Sequence, residues 1–269
     1  LASYKPYQST GEDFLQNYLG MIGIPIEMYP EFPAKEKIIL LTEQAAFDKE
    51  LVAKIRKHLE AGGNIVITSG LLKVLQGKGI EQIAEIANTG NVLNVHEFWG
   101  GSGSGEGANL GETPNLLVPE ISFMTNDAWP VVRGTASGRG APLLLQDHYS
   151  KGNFYVLTIP ENANDLYVLP QQVLTSIRNY LLRGQPYEID APALVSLFSY
   201  DNHAFAVESF RDQPAQVTIL ASAETKQLRD LSTGELIQSR TSPPQPSDPR
   251  AHFTITVQPH SFIAFEEVK

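Results

Sequence analysis

The chain has 269 residues, 42% of them apolar and 19% charged, which is the balance of a folded protein with room for one large domain or two ordinary ones. A formal net charge of -10 argues against a basic surface for gripping nucleic acid or an anionic membrane. The absence of cysteine removes disulfides, thiolate nucleophiles and cysteine metal sites together, and no apolar run approaches the roughly 18 residues needed to span a bilayer.

The chain begins at Leu1 rather than Met, without the charged and apolar regions of a signal peptide, so a processed protein or an excised segment is expected. The compartment stays open, a secreted or periplasmic one included. Leu1 to Tyr4 reads as a first strand. Ser9-Thr10-Gly11-Glu12 has the pattern of a capping box, followed at helical spacing by Phe14, Leu15, Tyr18, Leu19 and Ile22 and closed by Gly23. Ile24 to Met28 is a short strand, and Ile38-Ile39-Leu40-Leu41 is a continuous apolar run of the kind buried on both faces of a parallel sheet. The clearest helix has Asp48 as its expected cap, Phe47 and Val52 as a hydrophobic staple, and Leu51, Val52, Ile55 and Leu59 as its buried stripe; Gly62-Gly63 ends it. Asn64 to Thr68 is the next strand.

One or two shorter helices are expected over 71–87, then a strand at Val92 to Phe98. The Gly/Ser run 100–107 reads as a surface loop rather than a phosphate cradle, because no helix pattern follows it. Residues 119–160 are β-rich and include the apolar strand Phe154 to Ile159; Pro170 suits the first turn of a helix whose stripe is Val173, Leu174, Ile177, Tyr180 and Leu181. From about residue 188 short strands alternate with turn signals such as Asp201-Asn202 and Ser232-Thr233-Gly234, the pattern of a compact antiparallel sandwich, with Pro243 to Pro246 as a stiff extended loop. The expected organisation is a domain over 1–187 and a small all-β sandwich over 188–269. Alternating strands and helices in the first domain predict a three-layer α/β fold with a mainly parallel sheet.

No reactive set is complete. Ser69 sits at a strand-to-helix turn where a nucleophile can be displayed, with His96 or His148 as base and Asp127 or Asp147 as orienter, but no G-x-S-x-G surrounds it, and a helix cap explains a serine there equally well. His96-Glu97 lacks the second histidine of H-E-x-x-H, so no metal or other cofactor is expected. Trp99, Trp129 and Tyr149 would stack on a sugar ring if a cleft exposed them together.

The order of elements over 1–183 resembles the class I glutamine amidotransferase-like domain, a flavodoxin-like fold. In active members a Cys nucleophile follows the strand that Ile65-Val66-Ile67 resembles; this chain has Thr68-Ser69-Gly70 there. Active members also carry His-Pro-Glu after a late strand, and Ile159-Pro160-Glu161 stands in its place. The resemblance therefore implies degenerate positions at Thr68 and Ile159, with Glu161 retained. Isoleucine neither accepts nor relays a proton, so glutaminase chemistry is not expected.

The pairing of such a domain with a small sandwich is similar to the non-barrel part of family 42 β-galactosidases. The phrases that carry this are His58 to Ile67, Lys151 to Leu157 and Gln258 to Phe265. The resemblance implies a non-catalytic accessory or assembly region of a carbohydrate-active enzyme, because a chain of this length does not also hold the roughly 250-residue barrel. Its implied partners are the catalytic barrel of the same parent protein, further copies of itself, or a glycan. A stand-alone hydrolase using Ser69 and a glycan-binding or assembly protein remain as alternatives.

Overall fold

The computed structural model describes residues 1–101, 107–124, 127–136, 138–240 and 249–268. The chain divides into two compact units, one of residues 1–18 with 26–173 and the other of residues 19–25 with 174–269.

The first unit opens with β1 (Ala2–Tyr4), α1 (Leu15–Gly20, which runs on into the second unit), β2 (Glu27–Tyr29), β3 (Ile38–Leu41), α2 (Leu51–Glu60), β4 (Asn64–Thr68) and α3 (Ser69–Leu75). It continues with β5 (Ile86–Gly100), β6 (Ala108–Phe123), β7 (Ala128–Ala136), β8 (Arg139–Tyr149) and β9 (Gly152–Leu157). These strands form one nine-stranded sheet in the order β2-β1-β3-β4-β9-β8-β7-β5-β6. The pairings from β2 to β9 are parallel, and those from β9 through β8, β7 and β5 to β6 are antiparallel.

This corrects the expected three-layer, mainly parallel α/β fold: the sheet is mixed, and the described residues are 46% strand against 19% helix. The reason lies in the connections. A parallel neighbour needs a crossover of a dozen or more residues, usually a helix, and the first strands have that length between them. After Ile86 the strands follow one another through short loops with no helix between them, which only antiparallel pairing allows. Strand β9 pairs with β4 on one side and β8 on the other, so the sheet changes character along this strand.

The helices that were legible pack as their periodicity requires. Leu51, Ile55 and Leu59 of α2 and Leu71, Leu72 and Leu75 of α3 share a core with Ile39, Leu41, Ile65, Ile67, Phe154 and Val156. The alternate residues Ile38, Leu40, Val66, Tyr155 and Leu157 are buried as well, which is why these strands read as continuous apolar runs. Gly152 makes the approach of β9 to α2 possible, because a Cβ there would overlap the Gly63 carbonyl and meet the Leu59 backbone at 3.0 Å.

Two expected caps differ in detail. Ser9 and Glu12 form no capping box: the Ser9 hydroxyl donates to the Pro6 carbonyl at 2.6 Å, and Glu12 turns elsewhere with a positive φ of 45°. Asp48 lies two residues before the helical cap position, where its carboxylate accepts from the Glu50 amide at 2.9 Å, the Tyr4 hydroxyl at 3.0 Å and the Lys54 ammonium at 2.6 Å. Phe47 is exposed, so the expected staple with Val52 leaves its ring largely in solvent. The loop expected over 243–246 and most of the run 100–107 lie outside the described residues.

The second unit holds most of α4 (Gln171–Leu181), then β10 (Glu188–Asp190), β11 (Val195–Ser199), β12 (Ala204–Ser209) and β13 (Ala215–Ala221). It ends with β14 (Gln227–Asp230), β15 (Leu236–Gln238), β16 (Ala251–Val257) and β17 (Ser261–Val268). Two antiparallel sheets, β10-β13-β16 and β11-β12-β17-β14-β15, give one core between them. Ile189, Val217, Ile219 and Phe253 from one sheet meet Leu197, Phe205, Val207 and Phe265 from the other. The Phe205 ring lies 4.2 Å from that of Tyr187 and 5.3 Å from that of Phe265.

Arg178 of α4 is fully buried and acts as a tie within this unit. It donates from Nε to the Ile22 carbonyl at 2.7 Å and from Nη1 to the carbonyls of Ala191 at 2.8 Å and Ile189 at 3.2 Å. Burial lowers its pKa to about 10, opposed by the nearby charges of Asp190 and Glu188. Gly23 sits against this tie at φ 78°, where a Cβ would lie 2.8 Å from Ile189 and 3.0 Å from the guanidinium.

Candidate functional site

The segments following β1, β3, β4 and β9 border a cleft of about 350 Å³, at the carboxyl ends of parallel strands, where ligands bind in open α/β sheets. Its lining includes Glu12, Asp13, Glu43, Ser69, Gly70, Lys73, Asn88 and Asn91, together with Ile159 to Glu161. The structure thus brings Ser69, Ile159 and Glu161 to one place, with Thr68 directly behind them.

At the centre is Glu12, which the sequence pattern assigned to a local cap. Its Oε2 accepts from the Thr68 hydroxyl at 2.6 Å and from the Glu43 amide at 2.9 Å, and the Gly70 amide donates to the same carboxylate. A Cβ on Gly70 would overlap Glu12 Oε1 and lie 2.8 Å from its Cδ, and one on Gly11 would lie 2.8 Å from Glu43 Cβ. These glycines let the carboxylate enter and the Glu43 segment close over it. Burial pushes Glu12 up to about 7, with the negative charge of Glu43 adding to the rise and the three donors opposing it.

Thr68 and Glu12 have the spacing of a hydroxyl and its base, but the hydroxyl is not available. Thr68 is completely buried, and its oxygen accepts from the Leu71 amide at 3.1 Å as the N-cap of α3. The cap role expected for a hydroxyl at this turn therefore falls to Thr68 rather than Ser69. Ser69 is 2% exposed, and its Oγ accepts from the Ile159 amide at 3.0 Å. The Ser69 carbonyl accepts from the Asn88 side chain at 3.4 Å. Ser69 is thus a clasp between α3 and the segment after β9. Glu161 stands exposed at the rim, its amide bonded to the Leu117 carbonyl at 3.0 Å.

No histidine lines this cleft among the described residues, and the bases considered for Ser69 lie elsewhere. His148, Asp147, Asp127 and Tyr149 line a second cleft of about 260 Å³, which Ser69 does not enter. Burial pushes Asp147 up to about 6, with Asp127 and Glu85 adding to it, while the amide and ring of His148 oppose. The His148 ring meets Trp129 edge to face at 5.0 Å. His96 is on β5, 4.0 Å from Glu97. Trp99 lines a third cavity, so the three aromatic residues considered together for stacking are not gathered in one cleft. Among the described residues no group of three or more His, Asp or Glu is placed to hold a metal ion.

Residues 1–162 match the family described as "Uncharacterized protein SSO3021, second domain", 60% of the chain. The chain belongs to this family. Residues 186–267, within the second unit, match the family described as "Probable glycosyl hydrolase, C-terminal domain". No curated protein matches the chain.

Among solved structures the chain is similar to α-L-fucosidase isoenzyme 2 from Paenibacillus thiaminolyticus, at 14% identity and a TM-score of 0.57, over 100% of this chain and 48% of that one. It is also similar to the β-galactosidase from Bacillus circulans sp. alkalophilus, at 15% identity and a TM-score of 0.52, over 99% of this chain and 41% of that one. The cold-adapted β-galactosidase from Rahnella sp. R3 follows at 11% identity and a TM-score of 0.56, over 99% and 40%. At such identities the likeness is one of fold, and the chain spans less than half the length of these enzymes. Residues from both units share their fold with parts of these enzymes. Among the described residues no helix is long and apolar enough to cross a membrane.

Proposed function

We propose that this chain is a non-catalytic accessory region of a glycoside hydrolase whose catalytic barrel lies outside it. The observation that carries the reading is coverage: essentially the whole chain superposes on glycosidases of two specificities while spanning 40–48% of their length. A region common to β-galactosidases and an α-L-fucosidase suits a supporting role better than one specific to a substrate. The first cleft agrees with this, because each of its hydroxyls and its central carboxylate is committed to holding segments together.

In this reading the five parallel strands and the cleft at their ends are what an amidotransferase-like ancestor retains after losing its nucleophile and base, with Thr68 and Ile159 in their places. The partners are the barrel of the same parent protein or further copies of the chain. The test is to express the chain alone and joined to the coding sequence that precedes Leu1 in its gene, and to assay both against chromogenic glycosides. Activity confined to the longer product supports the reading. A preceding sequence that encodes no barrel, or equal activity in both products, contradicts it.

A further inference from the structure

The four antiparallel strands that widen the sheet present unequal faces. On one face Phe98 of β5, Val132 of β7 and Leu144 of β8 are fully buried. The other carries Glu97, Trp99, Arg133 and Thr135, all half-buried. Register aligns them: Trp99 pairs with Arg133, and Glu97 with Thr135, so each pair stands side by side on the same face. Along β5 the pairing with β6 shifts between Val95 and Glu97 and again between Phe98 and Trp99, irregularities of the kind that re-aim side chains.

Among the described residues, three glycines adjoin this quartet. Gly140 pairs with Thr135, and Gly107, Gly138 and Gly140 join Glu97, Trp99, Arg133 and Thr135 in lining a cavity of about 600 Å³, within the range of small-molecule sites. The Thr135 hydroxyl donates to Glu97 Oε2 at 3.3 Å, Glu97 Oε1 lies 4.0 Å from His96 Nε2, and Glu97 and Arg133 both line the cavity. A cavity lined by an indole, a carboxylate and a guanidinium offers an apolar plane together with acceptors and donors, and opposite charges that offset. That combination suits an uncharged ring bearing adjacent hydroxyls, whose C–H face stacks while its hydroxyls bridge to the charged groups.

We propose that Glu97, Trp99, Arg133 and Thr135 form a binding subsite for a neutral pyranoside. It deepens the accessory-region reading and rests on it for the source of the sugar, but not for the recognition itself. The chain has only two tryptophans, Trp99 and Trp129, so Trp129→Phe leaves Trp99 as the single indole emitter. Titration of that variant with methyl β-galactopyranoside, methyl β-glucopyranoside and methyl α-fucopyranoside should give a saturable change in emission with at least one of them. Arg133→Gln in the same background should weaken it about tenfold with an unchanged melting temperature.

Saturation-transfer NMR on the unsubstituted chain and on Trp99→Ala gives a second readout, in which the ring-proton signal should be lost with Trp99. The proposal is overturned if the folded Trp129→Phe chain gives no saturable response to any of the three glycosides. It is equally overturned if Trp99→Ala or Arg133→Gln binds as well as its parent. Such a failure is distinguishable from failure of the accessory-region reading, which is decided by what precedes Leu1 in the gene.

Discussion

Replacing Gly70 by alanine isolates the contact on which the first cleft depends. Gly70 lies in α3 with an ordinary negative φ, so in itself the change favours the helix by about 1 kcal/mol. The new methyl, however, would occupy the position of Glu12 Oε1, with the carboxylate carbon 2.8 Å away. Relief requires the carboxylate to leave the amides of Gly70 and Glu43 and the Thr68 hydroxyl, or the loop to move; overpacking of this kind costs about 1–3 kcal/mol. Gly70→Ala should therefore destabilise the chain by up to about 2 kcal/mol net in urea unfolding, about 1 kcal/mol at the middle of the range. In a Glu12→Ala background the obstacle is gone and the same substitution should stabilise by about 0.5–1 kcal/mol. The coupling energy from the four-member cycle is then about 2 kcal/mol, with a change of sign as its signature. Additive effects would refute the placement of Glu12 against the start of α3.

Further outcomes follow from other packed groups. Because Glu12 is raised from 4.5 to about 7 on folding, the native state holds its proton more tightly; stability relative to Glu12→Gln should be greatest below pH 4.5 and fall by about 3 kcal/mol between pH 4.5 and pH 7, levelling off above it, read from urea midpoints across that range. A pH-independent difference contradicts it. Arg178→Met strips the donors from three buried carbonyls and should cost about 3–5 kcal/mol in unfolding of the second unit, as breaking a buried charged group from its partners does. Gly152→Ala forces β9 away from α2 and should lower stability by at least about 2 kcal/mol in the same assay, whereas Gly77→Ala, with nothing near its Cβ, should show only the smaller backbone effect of its positive φ.

Much of the scaffold could be read from local pattern. The runs Ile38 to Leu41, Asn64 to Thr68 and Phe154 to Leu157 became central strands, and the stripes of α2 and α4 became buried faces, because each is decided by residues within a few positions of one another. In the antiparallel half a strand at Val92 to Phe98 and a β-rich stretch over 119–160 were read, but not the length of the strands or their pairing. Strand β6 contains Gly111, Pro114, Asn115 and Pro119, a composition that suggests loop, and it extends for 16 residues because β5 supplies its partner groups. Pairing set by a distant strand outweighs local propensity there, and the lack of helical pattern between Ile86 and Tyr149 was the available signal for hairpins.

The site divides the same way. Thr68-Ser69-Gly70 and Ile159-Pro160-Glu161 were found because they adjoin legible strands. Glu12 was assigned to a neighbouring cap because its partners are 31 and 56 residues away, and no local rule reports a bond across that distance. The positive φ of Glu12 and the demand for glycine at positions 11 and 70 are the physical traces of that bond.

Turnover of nitrophenyl β-galactoside and α-fucoside by the purified 269-residue chain tests the central claim most directly. The account predicts no rate above the buffer blank. A saturable rate abolished by Glu12→Gln, Glu43→Gln or Asp147→Asn, with the fold intact, would contradict it.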